Sequence, residues 1–495
     1  MINRRLLFAL AVTACGTLPV ADDGGTDGAL IDGSTDTGDG GDAASATDAN
    51  AGDASLDVKD ATTDPIPPPD APYVDFDAAT VPWAVTFGTG QILSVAADKN
   101  QNAAAAGYLM TAGVQSFFVE VLDASGVEVF SKNLGLTTNA SHIADAVAFD
   151  DSGNLYVAGY TSDALNFGGG AVGPGAVIVK YDSSGAFQWT YGPFVNTGFT
   201  GVAVKSNGNV LATGHFSGSR NFGGGLKVSA GGEDIVLLEV SSAGTFVRAK
   251  TWGGTGDDIP KSVAVDYADD VFMAGEFASS IDFGGGVMNG PGAPNHDLFV
   301  AKLDATFAYL KQFQCKANVH DTAFQGLSVD WAGNVFLAAN VWPQETVNFG
   351  GANLSAGSGQ GGAAIGRLDN SLSHQWSAIY VSAAGTGGTG VTADPTGGAT
   401  LIGDYAGGLS FGLGQLPIPP ASEVMTFATQ FALDGGVVTD LSFMSDSGAD
   451  EVYANAVSFV AWPDVVMGGQ CYGHPLFPSG QLACNGHAYA ARFKP

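Results

Sequence analysis

Two short apolar strands, separated by polar turn residues, recur seven times along the chain. In each copy the first strand is of the type V-A-V-D, and the second closes on glycine or alanine nine residues after the first strand's last position. The last positions are Asp98, Asp150, Lys205, Asp266, Asp330, Asp394 and Val460. The closing positions are Gly107, Gly159, Gly214, Gly275, Ala339, Gly403 and Gly469. This period predicts a repeat architecture, and we number the copies repeats 1 to 7.

Repeat 4 shows four predicted strands most clearly. They are SVAVD at 262–266, DVFMAG at 270–275, DLFVAKLD at 297–304 and YLKQF at 309–313. Valine, phenylalanine and leucine fill these segments, and Asp, Asn and Gly lie between them, as is typical of strands and turns. The 72 glycines among 495 residues and the lack of helical apolar spacing argue against long helices. The sequence therefore predicts an all-β protein.

Four-stranded units arranged around a ring form a β-propeller, which leaves no sheet edge unpaired. The last repeat stops after its third strand, at residues 488–495, whereas residues 81–88 (VPWAVTFG) look like a fourth strand that precedes the first repeat. We therefore predict a seven-bladed β-propeller of four-stranded blades over residues 78–495. The N-terminal strand is expected to complete the last blade.

Several segments resemble the bacterial seven-bladed β-propeller repeat family, of the SBBP type. They are G-N-L-Y-V-A-G at 153–159, N-F-G-G-G at 166–170 and 221–225, D-F-G-G-G at 282–286, and D-L-F-V-A-K-L-D at 297–304. The resemblance covers residues 81–495, although repeat 1 lacks the F-G-G-G segment and repeat 7 keeps only Phe477 there. It implies the fold strongly and the activity weakly, because propellers host binding, scaffolding and catalysis.

The F-G-G-G segments suggest an anion-binding loop, but their repetition favours a structural role. Asn166, Asn221, Asp282 and Asn348 can accept hydrogen bonds from their own backbone, and glycine supplies the positive φ that a tight loop requires. We expect the phenylalanines to pack between blades.

The N-terminus resembles a bacterial lipobox. Arg4 and Arg5 precede an apolar run at 6–12, and V-T-A-C ends at Cys15. This pattern predicts a lipoprotein signal peptide at 1–14 and acylation of Cys15; the alternative is a chance cysteine after an ordinary signal. Acyl chains on Cys15 would tether the protein to the cell envelope. Gly16 favours the outer membrane or the cell surface.

Residues 15–77 are predicted to be a disordered stalk. Positions 16–77 hold fifteen aspartates and one lysine, and PIPPP at 65–69 stiffens the distal end. A calcium-loop interpretation is weak because the loop spacing and terminal glutamate are absent. The net charge of −31 argues against nucleic-acid binding and favours cationic or neutral partners. No cofactor is predicted, although divalent cations can gather on such a surface.

A candidate ligand-binding ring follows the closing positions. Its members differ where the repeats otherwise agree: Tyr108, Tyr160, His215, Glu276, Asn340, Asp404 and Gln470. Four residues of the loops that enter the repeats could contribute: Asp257, Asp258, His320 and Asp321. The alternative is that all of them are solvated strand ends.

These features favour a lipid-anchored, monomeric binding or scaffold module for a glycan or an envelope protein. The alternative is a polysaccharide hydrolase or lyase that uses Glu276 and Asp404 as a general acid and base pair. No nucleophile elbow, phosphate loop or H-E-x-x-H segment supports an enzyme. A purely structural envelope role is the third possibility.

Cysteine and histidine form Cys-x-x-His twice in repeat 7, as Cys471 with His474 and Cys484 with His487. Such spacing would suit zinc. In an exported protein a disulfide bond between Cys471 and Cys484 is the commoner outcome, and we predict that bond. The remaining Cys315 is expected to be a buried small apolar residue.

Overall fold

A computed structural model describes residues 82–495, except 136–139, 320–323, 359–360, 383, 421–422, 444–450 and 462. Every regular element in these ranges is a β-strand, which confirms the all-β prediction. No helix long and apolar enough to cross a membrane occurs in the same ranges. The predicted signal peptide, Cys15 and the stalk lie outside the described residues.

The first three repeats contain sixteen of the described strands. Repeat 1 consists of β1 (Trp83–Ala97), β2 (Ala103–Thr111), β3 (Val114–Leu122) and β4 (Glu128–Leu134). Repeat 2 consists of β5 (His142–Phe149), β6 (Leu155–Thr161), β7 (Leu165–Asn166), β8 (Ala171–Val172), β9 (Gly175–Tyr181) and β10 (Phe187–Phe194). Repeat 3 consists of β11 (Thr197–Val204), β12 (Val210–Phe216), β13 (Ser219–Asn221), β14 (Leu226–Val228), β15 (Asp234–Val240) and β16 (Phe246–Trp252).

The remaining described strands follow the same plan. Repeat 4 consists of β17 (Asp258–Val265), β18 (Val271–Phe277), β19 (Ser280–Ile281), β20 (Met288–Asn289), β21 (His296–Leu303) and β22 (Tyr309–Val319). Repeat 5 consists of β23 (Phe324–Val329), β24 (Val335–Val341), β25 (Thr346–Asn348), β26 (Leu354–Ser355), β27 (Gly362–Leu368) and β28 (His374–Val381). Repeat 6 consists of β29 (Thr386–Ala393), β30 (Ala399–Tyr405), β31 (Met425–Phe431) and β32 (Val437–Phe443). Repeat 7 consists of β33 (Glu451–Ala461), β34 (Asp464–Gly473), β35 (Leu476–Phe477), β36 (Gly480–Gln481) and β37 (Cys484–Phe493).

Each repeat forms an antiparallel sheet whose long strands pair in chain order. We call the end with the short turns between strands one and two, and three and four, the turn face; the opposite end is the loop face. Small hairpins, which the sequence did not predict, lie between the second and third long strands of repeats 2, 3, 4, 5 and 7. They contain the F-G-G-G segments or their counterparts.

Strand β1 belongs to two repeats. Its first half pairs with β37 of repeat 7, from Trp83 opposite Arg492 to Thr89 opposite His487. Its second half pairs with β2, from Gly90 opposite Leu109 to Ala97 opposite Ala103. Repeats 7 and 1 therefore share one described sheet of seven strands.

A β-bulge explains the closing glycines. In all seven described hairpins of strands one and two, the register shifts directly after the residue that faces the closing position. The bulge brings a carbonyl oxygen onto the closing residue, so a Cβ added at Gly107 would lie 1.9 Å from the carbonyl oxygen of Gln91. At Gly469 the same distance, to Tyr453, would be 1.8 Å. At these two positions an added Cβ would require a shift of the backbone, and in repeat 5 the closing position holds Ala339.

Aspartate at the end of the first strand organises the turn that follows. Asp150 Oδ1 accepts the backbone N–H groups of Ser152 and Asn154, each at 2.9 Å. Asp330 accepts the N–H groups of Ala332 and Asn334 in the same way. The strand itself ends one residue earlier than the sequence predicts, because the aspartate serves the turn.

The described core consists of seven apolar clusters, and each is shared by two repeats. Six of them join consecutive repeats, and the seventh joins repeat 7 to repeat 1 through residues such as Val466 and Ile92. We call each such boundary a seam. Since every sheet buries both of its faces against its neighbours, the strands read as nearly continuous apolar runs.

Candidate functional site

Six of the seven predicted ring residues lie on second strands just after the closing glycine, and Asn340 follows Ala339 in the same place. Their side chains differ in exposure: Tyr160 is exposed, Glu276 is buried, and the others are partly buried. The structure therefore does not make them one open ring of solvated strand ends.

Glu276 bonds to the next repeat. Its carboxylate accepts the backbone N–H of Phe324, in the first strand of repeat 5, at 3.2 Å. Its other oxygen lies 3.6 Å from the ammonium of Lys261. The contact with Phe324 crosses the seam between repeats 4 and 5, whereas the contact with Lys261 lies within repeat 4.

Asp404 has an equivalent contact at the seam between repeats 6 and 7. It accepts the hydroxyl of Thr426 at 2.8 Å and the backbone N–H of Ala454 at 3.2 Å. Burial raises the pKa of Asp404 to about 7, although both hydrogen bonds oppose the rise. Asp404 in turn contributes to the raised pKa of the buried Tyr489 phenol, whose main cause is burial.

The catalytic pair of Glu276 and Asp404 stays a prediction, and each carboxylate already has other partners. Glu276 and Asp404 have separate partners, Lys261 and Phe324 for the first, Thr426 and Ala454 for the second. Two carboxylates that act on one glycosidic bond must face the same substrate. We therefore retain Glu276 and Asp404 as seam residues.

Three further ring residues, Tyr108, Gln470 and Asn340, have contacts within a repeat or between repeats. The hydroxyl of Tyr108 lies 3.4 Å from the amide oxygen of Gln91, its partner across the hairpin. Gln470 donates to the carbonyl oxygen of Gly486 within repeat 7, at 3.2 Å. Asn340 reaches repeat 6, because a Cβ added at Gly387 would lie 2.8 Å from its side-chain oxygen.

The structure brings four predicted residues together at the loop face of repeats 3 and 4. His215 Nε2 lies 3.8 Å from Glu233 Oε1, and both side chains are partly exposed. Burial lowers the pKa of His215; Glu233 and Asp257 oppose this shift, and Lys261 adds to it. We call His215, Glu233, Asp257, Asp258, Lys261 and Glu276 the loop-face cluster.

Asp257 and Asp258 begin repeat 4 and have different roles. Asp257 is exposed, and its carboxylate accepts the backbone N–H of Glu233 at 3.0 Å. Asp258 is fully buried and accepts the N–H of Gly254 at 2.7 Å. Burial raises the pKa of Asp258 to about 7, and the carboxylates of Asp234 and Asp257 add to the rise. Asp257 is the accessible member, whereas Asp258 orders the loop.

His320 and Asp321 lie outside the described residues, so the structure places neither. Their neighbour in sequence, Phe324, contacts Glu276.

Two cluster members, Glu233 and Lys261, were missed by the sequence analysis. Lys261 is the extra residue of the β-bulge, five positions before the last position of its strand. The same offset gives a second set of differing residues: Leu93, Asp145, Thr200, Lys261, Gln325, Thr389 and Asn455. A comparison of the repeats at the position five residues before the end of the first strand would have identified Lys261 as a candidate.

The cysteine prediction is confirmed. Cys471 and Cys484 form a disulfide bond with a Cα–Cα distance of 5.5 Å, and Cys315 is free and buried. The zinc alternative fails because the two sulfur atoms are bonded to each other. Across the described ranges, no group of three or more His, Cys, Asp or Glu side chains is placed to hold a metal ion.

The structural role of the F-G-G-G segments is also confirmed. Asn166 Oδ1 accepts the N–H groups of Gly168 and Gly170, at 2.9 and 3.0 Å, and Asn221 repeats the pattern. The phenylalanines Phe167 and Phe222 are buried in clusters shared by two repeats. These segments hold seams together and leave no backbone amide of the motif's glycines at 168 and 170 free for an anion.

No known protein-family model matches the chain, and no curated protein matches it. Similar solved structures include a catalytically inactive virginiamycin B lyase from Staphylococcus aureus with quinupristin; it is 7% identical, with 84% of this chain and 99% of that chain covered and a TM-score of 0.43. The Pan2 WD40 domain of Neurospora crassa is 11% identical, with 86% and 97% covered and a TM-score of 0.39. The C-terminal WD40 domain of Sif2 is 8% identical, with 84% and 99% covered and a TM-score of 0.38. Two of these three structures are WD40 domains, and all three TM-scores lie below 0.5.

Proposed function

We propose that the chain is a closed seven-bladed propeller of the bacterial repeat type, tethered to the cell envelope through Cys15, that binds a partner at the loop face. Closure is supported by contacts between repeats 7 and 1. The amide of Asn455 donates to the carbonyl oxygen of Ile92 at 2.9 Å. Arg492 reaches the turns of repeat 1, where it donates to Gln101 at 2.6 Å and Ala124 at 3.4 Å.

The loop-face cluster carries the binding proposal. Four other ring residues make contacts within their repeat or across a seam, namely Tyr108, Asn340, Asp404 and Gln470. Here, by contrast, Glu233, Asp257 and His215 are at least partly exposed beside one another. The carboxylates of this cluster accept hydrogen bonds, and His215 and Lys261 can donate them, so the cluster suits a ligand rich in hydroxyl groups or a cationic ligand. A glycan is the favoured ligand, and an envelope protein with a basic patch is the second choice.

The chain enters the described fold at the turn face, where Trp83 pairs with Arg492. Arg492 donates there to the turn of repeat 1. The long acidic segment at 16–77 would set the distance from the membrane.

The test uses the full chain with Cys15→Ser, which removes the acylation site, against a panel of neutral and amino-sugar polysaccharides. We expect retention of intact glycan, and Glu233→Gln should weaken it at least tenfold without a change in melting temperature. Asp151→Asn removes one exposed carboxylate on the turn face and serves as the matched control. Equal retention by both variants would reject the site, and shortened glycan would indicate an enzyme instead.

The tether has a separate test. Wild-type protein should fractionate with membranes, whereas Cys15→Ser should appear in the soluble exported fraction. If both fractionate alike, the lipid anchor is wrong, and the binding proposal is unaffected.

A further inference from the structure

An open pocket of about 440 Å³ lies at the outer edge of the seam between repeats 1 and 2. Strand β4 contributes Lys132 and Leu134 to one wall. The small hairpin of repeat 2 and its turn between strands three and four form the rest, with Asn166, Gly168 and Phe187 among the lining residues. The pocket is remote in sequence from the loop-face cluster.

Lys132 supplies the charge of this pocket. Its ammonium lies 5.6 Å from the ring centre of Phe130 and 5.5 Å from that of Tyr181. Both rings are buried, so they hold the ammonium by cation–π attraction at a fixed place. No described residue forms an ion pair or hydrogen bond with Lys132, and its three N–H donors are therefore available to a ligand.

The fourth-strand position of Lys132 is occupied in repeats 2 and 3 by residues that donate hydrogen bonds across a seam. Lys132 pairs with Val119, and its counterparts Tyr191 and Lys250 pair with Ile178 and Leu237. Tyr191 donates to the carbonyl oxygen of Phe222 at 2.6 Å, and Lys250 donates to that of Phe307 at 2.9 Å. Each of these contacts closes a seam.

The seam between repeats 1 and 2 also lacks the third-strand cation of its neighbour. Lys180 of repeat 2 donates to the carbonyl oxygen of Ser242 in repeat 3, at 3.2 Å. Val121 occupies the corresponding place in repeat 1 and has no donor. The seam between repeats 1 and 2 therefore has fewer contacts at its outer edge than the seam between repeats 2 and 3. The pocket lies at this outer edge.

We propose that this pocket binds a carboxylate-bearing sugar unit of an acidic polysaccharide, with Lys132 paired to the carboxylate. Asn166 adds donors for sugar hydroxyls: its side-chain oxygen is used by Gly168 and Gly170, and its exposed amide nitrogen is directed to neither. Glycine at 168 and 185 lets the two loops pack directly on Phe187 and Phe130, because an added Cβ would lie 2.5 Å from each of these side chains. The site goes beyond the proposed loop-face function, because it selects an anion on a chain of net charge −31.

A sugar fits better than an acidic peptide. A peptide would use the unpaired edge of β4, which ends its sheet, and would need a row of backbone partners. The pocket instead offers one fixed cation and a few side-chain donors, which match one carboxylate and its neighbouring hydroxyls.

Isothermal titration of the full chain carrying Cys15→Ser with hexagalacturonate tests the proposal at low salt. We expect Lys132→Gln to weaken binding at least tenfold, Lys132→Arg to retain most of it, and methyl esterification of the ligand to abolish it. Lys250→Gln is the matched control, because its ammonium is already engaged, and it should leave the affinity unchanged.

Three outcomes would overturn the proposal: no binding of hexagalacturonate, equal binding by Lys132→Gln, or equal binding of the methyl ester. Hexaglutamate that competes with the same affinity would overturn the sugar assignment and identify an acidic-peptide site. Circular dichroism of each variant checks that the fold is intact, and Lys132→Arg keeps the test valid if Lys132→Gln fails to fold.

Discussion

The turn face and the loop face are formed by opposite ends of the same strands, but the turn face carries recurring contacts between repeats and the loop face carries residues that differ. On the turn face five repeats direct a cation across the seam to a turn carbonyl of the next repeat: Lys180 to Ser242, Lys205 to Ala305, Lys302 to Asn370, Arg367 to Leu433 and Arg492 to Ala124. On the loop face the residue that follows the closing position differs from repeat to repeat, for example His215, Glu276 and Asn340. Repetition therefore marks stability, and variation marks the places where a ligand can be selected.

A substitution of Arg492 is expected to have the largest effect and tests whether the turn-face cations stabilise the fold. Its side chain is fully buried, and its Nε lies 3.2 Å from the carboxylate of Asp464. Arg492→Ala should lower the free energy of unfolding by about 3–5 kcal/mol, because it leaves Asp464 buried without its partner. Urea denaturation followed by fluorescence measures the loss.

The double variant Arg492→Ala with Asp464→Ala should recover part of that loss, since no charge is then left unpaired. A single variant as stable as wild type would show that the turn-face cations are not the source of seam stability.

The disulfide bond is the loop face's own contribution to stability. Cys471 and Cys484 are separated by 13 positions, so removal of the bond should cost about 3 kcal/mol through the entropy of the unfolded chain. Reductant should lower the melting temperature of wild type. The variant with both cysteines changed to serine should be insensitive to reductant, and a wild type that is equally insensitive would contradict the expected contribution.

In repeat 3 the acid and the base of the turn face exchange places: the first strand supplies the base and the third strand supplies the acid. Lys205 stands where most repeats have aspartate, and it lies 3.5 Å from the buried Glu239. In repeat 7 the acid is Asp464, and the cation is Arg492 on the third strand. Repeats 2, 3, 4 and 7 therefore each pair one acid with one base on the turn face, although different strands supply them.

Exchange of the two charges tests this rule. Lys205→Asp and Glu239→Lys should each cost about 2 kcal/mol, because each leaves like charges at a buried place. The double variant restores the polarity of the other repeats and should be more stable than the sum of the two single losses predicts. Strict additivity in a double-mutant cycle would mean that the two residues do not interact.

The fold was more predictable from the sequence than the site, for a physical reason. The nine-residue spacing follows from a bulged hairpin that recurs in all seven described repeats, and the closing glycine of six of them faces a carbonyl oxygen. The pairing of Cys471 with Cys484 was predictable because few alternatives exist. Side-chain contacts across a seam join residues 48 or 50 positions apart, as for Glu276 with Phe324 and Asp404 with Ala454. Nothing local in the sequence reports such a contact.

Asp404 shows how a loop-face position can serve stability. Its pKa of about 7 exceeds the ordinary value of 3.8, so the folded state holds the proton more tightly than the unfolded state. The stability that this proton provides is fully present below about pH 4 and is lost as the pH rises through 7. Asp404→Asn cannot titrate, and its side-chain oxygen can still accept from Thr426 and Ala454.

The melting temperature of Asp404→Asn, relative to wild type, should therefore rise steadily between pH 4 and pH 8. Asp151→Asn, an exposed carboxylate on the turn face, should give a curve parallel to wild type. If the two variants behave alike, Asp404 ionises as freely as a surface group. The seam contact with Ala454 would then be too weak to explain why this position, unlike its counterparts in most repeats, carries a carboxylate.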